Sequence, residues 1–228
     1  MWRLILKDIE QHAKAILLFL LSALFFPAAY NLSLARTEDA SAYLGVVFGF
    51  IVLGAPGLFA FLFIGQEKLK GTFKLLSILP IARRDLIFAK ALASILMCLI
   101  LVNITAAIYP VIIRAILGYD WVPNIRIILW LNLLVLFFTS ANIAIFTLLE
   151  SKIATQIMYF LYVFSGLSVI LASRYVHAAS DPETLMQSLN VIGFQYWGWV
   201  VIILASYVLV RFSGRLFEMK EWVELEEN

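Results

Sequence analysis

Hydrophobic residues fill most of this chain in long uninterrupted runs, and polar residues gather in the segments between them. Six runs contain no Asp, Glu, Lys or Arg, and each is long enough to cross about 30 Å of hydrocarbon as a helix. They are residues 15–32, 42–65, 91–113, 127–149, 153–173 and 191–210. Lipid offers the backbone no hydrogen-bond partners, so spanning segments satisfy themselves as helices. The pattern predicts an all-α integral membrane protein with six transmembrane helices, forming one domain over residues 1–228.

A shorter amphipathic stretch, residues 2–13, precedes the first run. One helical face carries Trp2, Ile5, Leu6, Ile9 and Ala13, and most of the charged residues lie opposite. This pattern predicts an interfacial helix that lies on the inner leaflet and leads into the first span. A frayed polar tail is the alternative. Acidic residues in this stretch and the length of the first run favour a retained span over a cleaved signal peptide.

Composition and charge asymmetry set the orientation of these helices. The chain is 63% hydrophobic and 14% charged, whereas a soluble domain carries about 25% charged residues. With a cytoplasmic N-terminus, all but four of the 17 Lys and Arg residues fall on the inner side. The four exceptions are Arg36, Arg114, Arg126 and Arg174. The positive-inside bias therefore predicts a multi-pass protein of the cell membrane with both termini in the cytoplasm.

The segment between the second and third runs, Gly65–Lys90, is unusually basic for its surroundings. Its first part, Glu67–Leu76, predicts a short helix with apolar residues on one side and lysines on the others. Pro80 ends that helix. Three cations, Arg83, Arg84 and Lys90, are predicted to lie at the inner membrane interface.

Motifs for enzymatic chemistry are missing from the sequence. It has no phosphate-binding GxxxxGK[ST] loop, no HExxH zinc pair and no GxSxG nucleophile elbow. The two histidines, His12 and His177, fall on opposite predicted sides of the membrane and cannot share a metal, so each is predicted to be a surface residue. Cys98 is the single cysteine. We therefore expect no enzymatic activity, metal site or nucleotide site on this chain.

The six runs also lack the ionisable residue that ion-driven transporters usually carry within the membrane. Their polar side chains are uncharged, and we expect these to form hydrogen bonds between helices. They are Asn103, Thr105, Asn132, Thr139, Ser140, Asn142, Thr155 and Gln156. Uphill transport by this chain would therefore draw its energy from another subunit.

Two local features add expectations about helix shape. Pro56, in the second run, removes a backbone donor and predicts a kink. The C-terminal stretch FEMKEWVELEEN, residues 217–228, is acidic and predicts a solvated tail, with a partner-binding surface as the alternative.

At the basic segment the sequence resembles the membrane permeases of type-2 ABC transporters, which are mostly exporters. The matching residues are Glu67, Gly71, Thr72, Leu75, Leu76, Pro80, Arg83 and Lys90. The chain departs from the family pattern at Phe73, Lys74, Ala82 and Ala89, and Lys74 reverses a common negative charge. The motif covers 24 residues, and the order of spans also fits the family.

The resemblance implies that residues 66–85 contain a cytoplasmic coupling helix that docks on a separate ATP-binding subunit, which would hold ATP and Mg. The residues implied in that contact are Glu67, Lys68, Gly71, Thr72, Phe73, Lys74, Leu75 and Leu76. It also implies a dimer of permease chains with the substrate path between them, lined chiefly by the second and fifth spans. Candidate path residues are Phe48, Phe59, Phe63, Tyr159 and Tyr162. No nucleic-acid partner is expected.

Two other functions remain open from the sequence. A membrane scaffold or passive pore would need no ATPase, and an intramembrane enzyme would need catalytic groups that the sequence does not display. The spans are uncharged and rich in aromatic residues, which suits lipids, hydrophobic drugs, peptides or antibiotics and leaves glycans and haem open. Homodimer and heterodimer are both compatible with the sequence.

Overall fold

The computed structural model describes residues 5–7, 9–19, 21, 54–69, 83–117, 125–150, 152–157, 159–160 and 197–226. Every regular element in these ranges is a helix, which confirms the all-helical class. The remaining residues include most of the predicted first and fifth spans and the middle of the basic segment. Expectations for Phe48, Gly71, Thr72, Phe73, Lys74, Leu75, Leu76 and Tyr162 therefore lie outside the described residues.

Six helical segments are named here in chain order. They are α1 (residues 9–19), α2 (54–69), α3 (Arg83–Leu117), α4 (Ile125–Leu148), α5 (152–157) and α6 (Trp197–Glu226). Within α2, residues Phe61–Gly65 form a π-helical turn, and the α-helix resumes over Gln66–Leu69. Pro56 lies in the helical residues before that turn. α4 packs against both α3 and α6, and α3 also contacts α6.

Within the described part of the chain, three helices are long and apolar enough to cross a membrane. Their spanning stretches are Arg84–Ile108 in α3, Ile128–Leu148 in α4 and Gly198–Met219 in α6. They overlap the predicted third, fourth and sixth spans, so the chain is a membrane protein. The count of six spans stays a prediction.

At Phe217 the C-terminal stretch departs from its prediction as a solvated tail, whereas Met219 is 55% exposed. α6 continues as one helix to Glu226, and Phe217 is only 7% exposed. After Gly214 the chain contains no Gly or Pro and is rich in Leu, Met, Glu and Lys, which favour helix. Phe217 is buried because it packs in the same cluster as residues of α2, α3 and α4.

The amino-terminal helix also differs from its prediction in the face that it buries. The buried residues are Ile5, His12 and Ile16, whereas Leu6 and Ala13 are exposed. A spacing of seven and then four residues keeps these positions on one face. The prediction that His12 lies at the surface is wrong, because its ring packs against Phe63 of α2 with centroids 5.6 Å apart.

Between α3 and α4, two asparagine side chains form a reciprocal amide pair. Asn103 Nδ2 donates to Asn132 Oδ1 at 2.9 Å, and Asn132 Nδ2 donates back to Asn103 Oδ1 at 3.4 Å. Each amide also donates to a carbonyl four residues earlier in its own helix, those of Leu99 and Ile128. This pair fulfils the expectation of hydrogen bonds between helices.

Other polar residues of α4 bond within their own helix instead. Thr139, Ser140 and Asn142 donate to the carbonyls of residues 135, 136 and 138 at 2.6–2.8 Å. Short polar side chains can satisfy themselves this way because the carbonyl four residues earlier lies within reach. The Thr139 hydroxyl also shares a hydrogen bond with the Cys98 side chain of α3, as expected of a contact between helices. For the bonds of Ser140 and Asn142 that expectation was wrong.

Replacing Asn132 with Leu should therefore destabilise the α3–α4 contact, whereas the same change at Asn142 should not act through Asn103. Hydrogen bonds between membrane helices contribute about 0.6 kcal/mol on average and at most about 1.7 kcal/mol. A double-mutant cycle of Asn103→Leu and Asn132→Leu, measured by unfolding in detergent, should give a coupling in that range. A cycle with Asn103→Leu and Asn142→Leu should give a coupling near zero, and equal couplings would contradict the assignment.

Candidate functional site: the junction at the ends of the basic segment

Glu67 and Lys90, near the two ends of the basic segment, meet in one buried region that we call the junction. Four helix ends meet there: the last turns of α2, the first turns of α3 and the carboxyl-terminal parts of α4 and α6. Its apolar core consists of Ala60, Ile64, Leu86, Ile87, Ala91, Ile143, Phe146, Ala154, Val210 and Phe217.

A buried ion pair joins α2 to α3 at the centre of the junction. Lys90 Nζ lies 2.7 Å from Glu67 Oε2, and the two side chains are 2% and 10% exposed. Both residues lie just outside the predicted spans, so the pair ties together the two ends of the basic segment.

The burial of the Glu67–Lys90 ion pair determines how it affects the stability of the protein. Removing two charges from water costs several kcal/mol per ion, and mutual attraction offsets that cost only while both partners are present. Breaking the pair therefore leaves one uncompensated charge in an apolar setting. The pair makes the packing of α2 on α3 sensitive to small movements of either residue, because Coulomb energy rises steeply at low dielectric.

Lys68 connects the same turn of α2 to the end of α4. Its Nζ donates to the carbonyl oxygens of Thr147 at 2.6 Å and Leu149 at 3.3 Å. The last carbonyls of a helix lack partners within the helix and carry partial negative charge, so a lysine satisfies both needs. The same ammonium lies 5.4 Å from the ring centroid of Phe217, a cation–π contact with α6.

A carboxylate makes the complementary contact at the start of α3. Glu218 of α6 accepts a hydrogen bond from the backbone N–H of Arg84 at 3.2 Å. This N–H is one of the donors that a helix leaves unpaired at its amino terminus, where negative charge is favoured. The Arg84 side chain lies at the surface beside Asp85, with Nε 3.8 Å from Oδ1 and both side chains more than half exposed.

Gly65, the last residue of the π-helical turn, lies against two phenylalanine rings. A Cβ added there would lie 2.7 Å from Phe61 Cδ2 and 3.1 Å from Phe146 Cδ1. The rings of Phe61 and Phe146 are themselves packed, with centroids 5.8 Å apart. A side chain at position 65 would therefore have to displace the Phe61 ring and press against the fully buried ring of Phe146.

Gly65→Ala should consequently destabilise the protein, although Gly→Ala in an open helix stabilises by about 1 kcal/mol. Overpacking a well-filled core costs about 1–3 kcal/mol, which exceeds that gain. The matched control is Gly214→Ala in α6, where the nearest atoms to an added Cβ lie at 3.8–3.9 Å. Unfolding in detergent should show a loss for Gly65→Ala and none for Gly214→Ala. Equal effects would contradict the close packing at Gly65.

Some of the site residues predicted from sequence lie in the junction, and others lie elsewhere in the described structure. Glu67, Lys68 and Lys90 come together in the junction, with Lys90 buried beside Glu67 although it was expected at the membrane interface. Arg84 is exposed. Arg83 begins α3, and nothing is described of its side chain.

The described path candidates lie in two different settings. Phe59 and Phe63 are 1% and 0% exposed and stack on each other with centroids 6.1 Å apart. They belong to the cluster formed by α1, α2 and α3, so in this conformation neither ring lies on an outer surface of the chain. Tyr159 is 64% exposed.

Several junction residues were not anticipated from sequence, chiefly Phe146, Thr147, Phe217 and Glu218. Phe146 belongs to an unbroken apolar run, and Thr147 participates through its backbone carbonyl, so neither carries a signal in the sequence. The basic character of the segment Gly65–Lys90 and the acidic character of the end of α6 could have suggested that these elements lie close together. Among the described residues no group of three His, Cys, Asp or Glu side chains could hold a metal ion.

Comparison with known proteins identifies the family to which this chain belongs. A search of curated proteins and a search of solved structures each found no match. A family model described as ABC-2 family transporter protein matches residues 5–206. The match covers α1 to the middle of α6 and includes the whole basic segment, and it confirms the resemblance to type-2 ABC permeases. The chain therefore belongs to the ABC-2 family of transporter proteins, as a membrane permease.

Proposed function

We propose that this chain is the permease subunit of an ATP-driven exporter of the cell membrane, with both termini in the cytoplasm. Two permease chains form the substrate path, and a separate ATPase subunit binds ATP and Mg. The ATPase docks on residues 66–85, and this chain performs no catalysis itself. Membership of the ABC-2 family supports the transporter class, and the junction supports the route by which work enters the membrane helices.

The observation that carries this proposal is the anchoring of the basic segment at both ends. Glu67 and Lys90 link its two flanks through the buried ion pair, and Lys68 contacts the end of α4 and Phe217 of α6. A force applied to the segment therefore acts on α2, α3, α4 and α6 together. A loop that merely connected two spans would need none of these buried polar contacts.

Coupling then follows as a change in the balance between two packings of the membrane helices. ATP binding to the ATPase can shift that balance only by favouring one packing over the other. The segment carries this preference from the ATPase to the junction, and packed helix interfaces convert a small shift into a discrete rearrangement. Within this proposal Glu67 anchors the segment, and Gly71 to Leu76 contact the ATPase.

Gly71→Trp should abolish binding of the ATPase while leaving the permease folded. Gly71 permits close approach of a partner backbone, and an indole would block it. The variant and the wild type are purified from native membranes, and copurified ATPase is quantified by mass spectrometry and by ATP hydrolysis. Lys152→Trp is the matched control, because Lys152 is exposed and lies on the same predicted side. It should retain the ATPase in full.

A wild-type preparation with no ATPase, or a Gly71→Trp variant that keeps it at wild-type stoichiometry, would contradict the proposal. The first result would favour a scaffold or passive pore. In that case substitutions in residues 70–76, beyond the buried contacts of Glu67 and Lys68, would be tolerated, whereas changes in the apolar spans would still impair function.

A further inference from the structure

We propose that the π-helical turn Phe61–Gly65 is a register switch, which rotates the end of α2 between two orientations during the transport cycle. The inference deepens the proposed function and rests on it. In the structure the turn separates the part of α2 that packs on α1 and α3 from the part that carries Glu67 and Lys68. Rotation of the residues after the turn would change the polar contacts of the junction, while Ala55 and Phe59 before the turn keep their places in the cluster with α1 and α3.

The backbone hydrogen bonds define the π-helical turn, and they also define how it could convert to an α-helix. The N–H of Gln66 donates to the carbonyl of Phe61, a bond that spans five residues in place of the usual four. A π turn holds about one residue more than an α turn, and such turns are common at functional sites. Converting it to α-helix without changing the sequence would rotate everything downstream by about 100°, the angle of one residue.

The contacts on the two sides of the turn differ in a way that suits a switch. Upstream, Ala55 and Phe59 pack in the apolar cluster formed with α1 and α3, and Phe59 stacks on Phe63 of the turn itself. Downstream, Glu67 and Lys68 are held by an ion pair, two hydrogen bonds and a cation–π contact. Directional polar contacts are lost on a 100° rotation, so the present orientation is a distinct state.

Gly65 is the pivot of this switch. It closes the turn beneath the Phe61 ring and against Phe146, where an added Cβ would overlap both. Glycine at this position thus permits the π register, and a side chain there would favour leaving it. Two changes should therefore have opposite effects on the orientation of the end of α2. A side chain at position 65 should favour rotation, and a shorter turn should prevent it.

Deletion of Ile64 shortens the turn by one residue. The deletion converts the π-helical turn to α-helix while the residues on both sides keep their orientation, so Glu67 still faces Lys90. The extra residue that would allow the rotation is then absent. The deletion should hold α2 in its present orientation in all states. Gly65→Ala should shift the resting protein toward the rotated orientation, and Gly214→Ala is its control.

The test is a distance measurement in the complete transporter, with Cys98→Ala as background. Spin labels are placed at Leu69 and Lys152, which are both exposed. Distances are measured by pulsed electron paramagnetic resonance without nucleotide and after trapping with ATP and vanadate. A side chain about 5 Å from the helix axis moves about 8 Å on a 100° rotation, so the distance distribution should change by several ångströms.

The expected result is a change in the parent complex, no change after deletion of Ile64, and a resting distribution for Gly65→Ala already displaced toward the trapped one. An equal change in the deletion variant, or no change in the parent complex while it hydrolyses ATP, would overturn the switch. If the deletion variant does not fold, an undisplaced resting distribution for Gly65→Ala would overturn it. Absence of any ATPase from the complex would instead overturn the proposed function on which the switch depends.

Discussion

Lys90→Met should be among the most destabilising single substitutions in this chain, with a loss of about 3–5 kcal/mol in the free energy of unfolding. The change leaves Glu67 as a carboxylate buried in the junction without the ammonium that lies 2.7 Å away. Glu67→Leu should cost a similar amount for the converse reason. Unfolding of the purified chain in detergent measures both losses.

The double variant Glu67→Leu, Lys90→Met should recover most of that stability, because it removes both charges and leaves neither uncompensated. Replacing a buried ion pair with apolar residues is often neutral or stabilising. Asp85→Asn is the control, since its partner Arg84 is more than half exposed and surface pairs contribute about 0–1 kcal/mol. Additive losses in the double variant would contradict a direct interaction between Glu67 and Lys90.

Phe146→Ala should have the second largest effect, about 3 kcal/mol. Its ring is fully buried between Phe61 and the Gly65 turn, so truncation opens a cavity in the junction. Truncating core aromatics costs about 3–5 kcal/mol in soluble proteins. We expect the lower end of that energy range for Phe146→Ala, because lipid is as apolar as the helix interface. Only the packing contribution of the ring is then lost.

Phe212→Ala in α6 is the matched control for that prediction. Its ring is 57% exposed, so truncation leaves no enclosed cavity and should cost well under 1 kcal/mol. Unfolding in detergent compares the two variants. If Phe212→Ala were as costly as Phe146→Ala, the junction would not be the closely packed element that coupling requires.

Sequence was a reliable guide where one physical factor acts over many residues. The apolar runs of α3 and α4 carry no charge over the length of a bilayer, and both helices lie where those runs predict them. The family followed from a local motif whose Glu67, Gly71 and Pro80 are read directly from the chain.

Pairings between distant residues could not be predicted in this way. Glu67 and Lys90 each looked like a surface charge because each lies beside an apolar run, and only folding brings them together. The acidic end of α6 looked solvated, but Phe217 finds apolar neighbours there and Glu218 finds the amino terminus of α3. The hydrophobic pattern around His12 and Phe63 did not indicate which helix each ring would contact.

The most direct measurement of the central claim is photocrosslinking from the basic segment in living cells. A benzophenone amino acid replaces Phe73, and adducts are identified by mass spectrometry after irradiation. The same probe at Tyr207, which is 53% exposed in the spanning part of α6, is the control. If work enters through this segment, the probe at position 73 forms an adduct with an ATP-binding protein and the probe at position 207 does not. No such adduct at position 73 in a cell with active transport would contradict the mechanism.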